Sequence, residues 1–214
     1  RTGRGPDVTQ VPAPADDDSG AARPDRLPLP PDEELSAEQR AAVAEISSGP
    51  RGGVIGPFAP LLRSPELMSR LQKVGEQLRW SGTLDRRLFE MAVLFVSRRW
   101  DQQFEWGHHH PLALEAGLDP AIAEAIAHDR RPEGMDPAAE AVWDVLDQLH
   151  RTRVVSDDTY ARALAALGDA GVVDLVVTAG YYTTLAMVMN VAQTPVPEGP
   201  RLPDLHQRRT GAPA

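Results

Sequence analysis

Cysteine is absent from all 214 residues. Its absence removes disulfides, thiolate metal ligands, iron–sulfur clusters and cysteine nucleophiles on chemical grounds alone. Basic charge is also in deficit. The 31 acidic residues outnumber the 22 basic ones, for a formal charge of −9, and no positive stripe of the kind that binds nucleic acid or an anionic membrane is apparent. The first residues, Arg1 to Pro14, lack the apolar stretch and cleavage pattern of a secretory signal, so a cytoplasmic location is the expectation. A clean hydrophobic run is missing too. The longest candidate, Gly171 to Val191, is interrupted by Asp174, Asn190 and several threonine and tyrosine hydroxyls, which favours a buried helix over a membrane span.

What is present suffices for one domain with a proper core, since 42% of the residues are apolar. Seven of the 20 prolines fall in residues 1–34 and five in residues 195–214. Apolar periodicity begins only at Leu35. The organisation expected is a proline-rich N-terminal tail over 1–34, a helical domain over 35–194 and a second proline-rich tail over 195–214, the tails being too polar to offset their ordering entropy.

Within the domain, helix-start signals recur. Ser36 with Gln39 forms a capping-box pattern, Ser64-Pro65, Thr83 and Ser156 are further N-caps, and Asp119-Pro120 and Asp136-Pro137 place an acceptor before a proline at the first helical position. Gly49, Gly82, Gly117 and Gly168 follow periodic segments and read as stops. Helices are predicted near 36–48, 65–80, 84–98, 101–116, 120–128, 137–151, 157–167 and 170–192. The valine-rich start of the last segment keeps helical spacing through Leu185, Val188 and Met189, so it is not a strand. Gly49 to Pro60 reads as a loop. The fold class is all-α.

The densest chemistry lies in Trp100 to Pro111. On a helix Glu105 and His109 are four residues apart and share a face with Ala113 and Ala116. A carboxylate that bonds one imidazole nitrogen fixes the tautomer and raises the basicity of the other, which makes proton-transfer hardware. The same spacing also suits an ordinary surface pair. Pro111 withholds the N–H that would meet the Gly107 carbonyl, so a local distortion beside His109 is expected. Glu90, among Phe89, Ala92, Val93 and Val96, is a candidate buried carboxylate. Arg98 and Arg99 end their helix, where cations suit the dipole, and either could hold a substrate carboxylate. Trp106, His108 and Tyr181 are further candidates for substrate contact, with Tyr182, Thr183 and Asn190 beside them. Consecutive helical residues diverge by about 100°, so His108, His109 and His110 cannot converge on one metal ion, and none is expected.

The run Phe104-Glu105-Trp106, then His109, Pro111, Ala113 and Gly117-Leu118, resembles the Tyr/Phe-Glu-Trp-x-x-His-x-Pro-x-Ala-x-x-x-Gly-Leu pattern of the carboxymuconolactone decarboxylase family. Weaker likeness runs from Gly56-Pro57-Phe58 and Leu61 to Leu67 as far as Asn190. The resemblance implies a compact all-helical subunit of the alkylhydroperoxidase-like type, a homo-oligomer of trimer or hexamer form, and a site on the helix bearing Glu105 and His109. In the peroxidase branch, Glu90, Gln102, Glu105 and His109 fall where a Glu, two Cys and a His would stand. Both thiols are replaced, which removes the redox centre of that branch. In the decarboxylase branch, a carboxy-lyase acting on a small carboxylated lactone needs an anchor and a general acid but no cofactor. Glu105, His109 and Glu90 would then be catalytic, with Arg98 or Arg99 as the anchor. The alternative is a catalytically silent oligomer that binds a ligand or acts as a scaffold.

Overall fold

The computed structural model describes residues 24–205, and the parts of the two tails outside that span lie outside the described residues. All regular structure among the described residues is helical. After a 3-10 turn at Asp32–Glu34, the elements are α1 (Ala37–Ser48), α2 (Phe58–Leu61), α3 (Pro65–Glu76), a π-helical turn at Gln77–Ser81, α4 (Arg86–Arg99), α5 (Gln103–Glu115), α6 (Pro120–Ala127), α7 (Pro137–Thr152) and α8 (Asp157–Ala192).

The starts follow the side-chain acceptors. Ser36 and Gln39 complete a reciprocal capping box, and Asp119, Asp136 and Ser156 each accept a backbone N–H at the head of α6, α7 and α8. Thr83 does not cap α4. Asp85 does, accepting from Arg87 and Leu88, because Thr83 is committed elsewhere: its N–H and hydroxyl both donate to Asp174 of α8, at 2.7 and 2.8 Å. Of the four predicted glycine stops, Gly117 and Gly168 take positive φ, whereas Gly49 and Gly82 are extended. Gly168 breaks α8 into two helical stretches, as its placement predicts.

α4 is the central element. Every residue from Leu88 to Arg98 is buried, so the helix is enclosed on all sides and packs against α5, α6, α7 and α8. Phe95 meets Trp143 of α7 edge to face at 5.1 Å. α3 approaches α8 closely at Gly75, where an added Cβ would stand 2.2 Å from the Tyr181 hydroxyl oxygen. A side chain there would have to displace that ring.

Three expectations need correction. The stretch 49–60 is not all loop, since Phe58–Leu61 forms a helical turn whose Phe58 and Leu61 are buried. The described parts of the tails are docked. Arg26 N–H donates to the Ala192 carbonyl at the end of α8, and Leu202 exchanges two hydrogen bonds with the Gln103 side chain while its own side chain is buried. Short backbone–side-chain bonds and one apolar anchor thus hold segments whose composition reads as unstructured. Finally, α8 is buried on its inner face only. It is long and apolar enough to cross a membrane by length and composition, and its outer face carries Val173, Val177, Met187 and Val191 exposed by between 41% and 65%.

Candidate active site

α4 and α5 meet at a sharp bend that sets the geometry of the site. Asp101 takes φ 48 and Gln102 caps α5 by accepting from the Phe104 N–H at 2.7 Å. Asn190 of α8 fastens both sides, donating to the Trp100 carbonyl and accepting from the Gln102 amide. Thr183 accepts from the Trp100 indole N–H. Gln102, at one of the two positions where the resemblance would put a thiol, is thereby a structural clamp. α5 then runs through Pro111 without ending.

The bend lays the Glu105 and His109 face of α5 against α4. His109 Nδ1 lies 2.6 Å from Glu90 Oε2, and the other Glu90 oxygen is 2.6 Å from the Arg86 guanidinium one turn earlier on α4. Glu90 is fully buried and His109 nearly so. Burial pushes the Glu90 pKa up, but His109, Arg86 and Arg79 together hold it below the usual carboxylate range. For His109, burial outweighs the attraction of Glu90 and lowers the pKa. The state these directions describe is an ionised Glu90 and a neutral His109. A carboxylate only accepts, so the ring proton sits on Nδ1 and the lone pair on Nε2. Tyr182 packs edge-on against the imidazole at 5.1 Å, which fixes its plane.

Glu105, one turn before His109, has the opposite environment. It is buried and neither carboxyl oxygen has a hydrogen-bond partner. Burial drives its pKa well above the ordinary value, and the Ser97 hydroxyl pulls it back only in part. The proton of that hydroxyl is donated to the Val93 carbonyl at 2.8 Å. Burial therefore favours the protonated, neutral form of Glu105 over its carboxylate.

Glu105, His108 and His109 line one cavity together with Arg51, Arg79, Ile55, Pro57, Phe58, Phe104, Tyr182 and Leu185. Its volume is about 30 Å³, room for one or two waters. Burial pushes the His108 pKa down to about 4, with the His109 and Arg79 charges adding to it. The loop before α2 forms one wall, and its approach depends on Gly56, with φ 54 and a Cβ position 2.5 Å from the Phe104 ring.

The structure thus unites Glu105, His109 and His108 at the cavity, with Glu90 behind the imidazole. It separates the other candidates from it. Arg98 is occupied by the Ala127 and Pro203 carbonyls and by Asp101, and Arg99 pairs with Asp129 and Asp147. Both side chains tie the α4 terminus to neighbouring segments, and neither lines the cavity. The buried Trp106 ring sits beside His110 at 5.4 Å, and Tyr181 is turned toward Gly75. Tyr182 takes the place at the wall foreseen for Tyr181. The cations at the cavity are Arg51 and Arg79, neither of which lies in the Trp100 to Pro111 run. A glycine-rich connection was the only available sign of Arg51, and Arg79 depends on a π-helical turn, a feature frequent at functional sites but invisible in composition.

The sequence model of the carboxymuconolactone decarboxylase family matches residues 65–148, which hold α3 to most of α7 and every ionisable cavity residue except Arg51 and Tyr182. No curated protein sequence matches the chain. A crystal structure from Agrobacterium tumefaciens shares the fold, with a TM-score of 0.57 at 18% identity over 64% of this chain and 95% of that one. It is described as a protein of unknown function provisionally assigned to AhpD antioxidant defence. The α4–bend–α5 unit and the Glu-Trp-x-x-His run both lie inside the span, residues 65–148, that is similar to the carboxymuconolactone decarboxylase family.

Proposed function

We propose that the cavity performs cofactor-independent acid–base catalysis, decarboxylating a small lactone-like carboxylate. The observation that carries this reading is the placement, one helical turn apart on α5, of a buried carboxyl without partners, Glu105, and an imidazole whose Nδ1 is held by Glu90. Burial that favours the protonated form of one group and the neutral form of the other supplies a proton donor and a proton acceptor side by side. In the reaction the bond to the substrate carboxylate breaks and CO2 leaves. The electron pair remains on the ring as a dienolate, and the Glu105 proton goes to carbon. The sum is one carboxylate plus one proton giving CO2 and a C–H bond, with no electrons exchanged. Glu105 is recharged from water through His109: a proton accepted on Nε2 makes an imidazolium that Glu90 stabilises, and the proton passes on across the cavity.

Turnover is expected to follow a bell-shaped pH profile. The acid limb falls below the ordinary imidazole range, where a His109 of lowered pKa becomes charged. The alkaline limb lies above the ordinary carboxylate range, where Glu105 finally ionises. CO2 release from a panel of carboxylated lactones, followed across pH, checks this. A silent ligand binder is the second reading, favoured by the small size of the cavity. Binding without CO2 release from any of the panel would select it.

We propose further that the protein self-associates through the outer face of α8. Val173, Val177, Gly180, Thr184, Met187 and Val191 are all exposed and repeat at alternating steps of four and three residues, the spacing of a helix–helix seam. Val177→Asp is expected to shift the species seen in sedimentation velocity from an oligomer toward the monomer. A wild-type protein that sediments as a monomer removes this proposal.

A further inference from the structure

Arg51 and Arg79 reach the cavity from different elements, Arg51 from the loop after α1 and Arg79 from the π-helical turn after α3. Their environment is unlike that of eight of the sixteen described arginines. Arg70, Arg86, Arg87, Arg98, Arg99, Arg131, Arg151 and Arg162 all stand at ion-pair distance from a carboxylate. Among the described residues, Arg51 and Arg79 make no such pair. The Nε of each is buried without a hydrogen-bond partner, although such a group ordinarily finds one.

Aromatic rings orient both guanidiniums. Arg51 lies 4.4 Å from the centroid of Phe58 and 5.5 Å from that of Trp80, and Arg79 lies 5.1 Å from Trp80. Stacking of this kind holds a guanidinium plane while leaving its edge to donate. The two cations also work against each other: burial lowers the Arg79 pKa, and the Arg51 charge adds to the effect. The nearest carboxylate, Glu90, has one oxygen on His109 and the other on Arg86. Burial disfavours a charge on Glu105. The cavity therefore presents two guanidiniums whose Nε atoms are buried without a partner and, among the described residues, no carboxylate at ion-pair distance from either.

We infer that Arg51 and Arg79 form a binding site for a carboxylate of the substrate that is retained through the reaction. A planar carboxylate matches the guanidinium fork, whereas a tetrahedral phosphate would need donors on further sides, where this cavity presents Ile55, Pro57, Phe104 and Leu185. The group held is not the one that leaves. Ion pairing to a departing carboxylate would stabilise the ground state more than the transition state, in which that charge has moved into the ring, and would slow the loss of CO2. The departing group fits the apolar side of the cavity, and the ligand is a small molecule with an anionic group remote from the reacting carbon. The cavity of about 30 Å³ admits such a ligand by movement of the loop that carries Arg51, in which Gly52 and Gly53 have open space where a side chain would stand.

The retained role rests on the catalytic reading above, but the carboxylate site itself is tested without turnover. Isothermal titration calorimetry of the full chain with benzoate, benzamide and inorganic phosphate is the measurement. Saturable benzoate binding is expected, with benzamide and phosphate at least tenfold weaker. Arg51→Met and Arg79→Met, which keep an apolar stem over the rings, are each expected to weaken benzoate roughly ten- to hundredfold. Arg130→Met, at an exposed position outside the cavity, is expected to leave the affinity within twofold. Arg51 lies in a loop, so its replacement leaves the helical core intact even where the Arg79 variant unfolds. No saturable benzoate binding, phosphate binding as tight as benzoate, or full affinity in Arg51→Met would overturn the inference. A protein that binds benzoate through both arginines but releases no CO2 loses the catalytic reading and keeps the site. An active protein whose KM is unchanged in Arg51→Met loses the site alone.

Discussion

Replacing His109 by glutamine is expected to reduce turnover by about two to four orders of magnitude, the range for loss of a positioned acid–base group, with little change in fold. Glutamine is the informative choice because Glu90 is fully buried and His109 is one of its two partners. Alanine would leave one carboxylate oxygen without a donor, a loss of about 1–3 kcal/mol in a buried site, and inactivity would then be confounded with instability. The glutamine amide can still donate to Glu90, yet it cannot accept a proton and pass it on. Circular dichroism and sedimentation should match the wild type while CO2 release collapses. Wild-type turnover in His109→Gln would mean that the imidazole only props Glu90 and Tyr182 in place.

Glu105→Gln is expected to trade activity for stability. The folded-state pKa of Glu105 is raised, chiefly by burial, above its unfolded value. Between those two values the folded protein holds one proton more than the unfolded chain, so this group makes stability fall as pH rises. Its contribution is fully present below the unfolded pKa and is lost by the time pH has passed the folded one. The slope inside the window is about 1.4 kcal/mol per pH unit for a single proton. Glutamine has nearly the same shape and no titration. Urea unfolding at a series of pH values should therefore show the variant gaining on the wild type through the window, while CO2 release is lost at every pH. Subtracting one curve from the other isolates Glu105 from the opposite contribution of Glu90, whose lowered pKa adds stability that disappears as pH falls through it. Parallel curves would show that Glu105 is solvated, and its role as a neutral acid would fall with them. A stabilising substitution that abolishes activity marks a group kept for function against the interest of the fold.

That Glu105 and His109 share a face was legible because it is local, but the carboxylate that bonds the imidazole is Glu90, and neither Glu105 oxygen has a hydrogen-bond partner. Four residues on one helix share a face whatever surrounds them, and the Glu-Trp-x-x-His run identifies the helix. The partnership of Glu90 with His109 came only through resemblance, since 19 residues and the Asp101 bend separate them. Arg98 and Arg99 were candidates both for the helix end and for an anchor, and a helix end also draws the carbonyls and carboxylates of neighbouring segments. In the fold these consume both guanidiniums.

Local sequence fixes the all-helical class, most helix starts, the break at Gly168 and the shared helical face of Glu105 and His109. Each depends on chemistry within one or two turns: a capping side chain, a glycine at positive φ, a 3.6-residue period. The tertiary structure alone decided that Asp85 and not Thr83 caps α4, that segments on both sides of the domain dock, and that Arg51 and Arg79 face Glu105 across one cavity. Those outcomes hang on which surfaces meet across the chain. Burial, unpaired charge and raised pKa are properties of that meeting, and no short stretch of residues carries them.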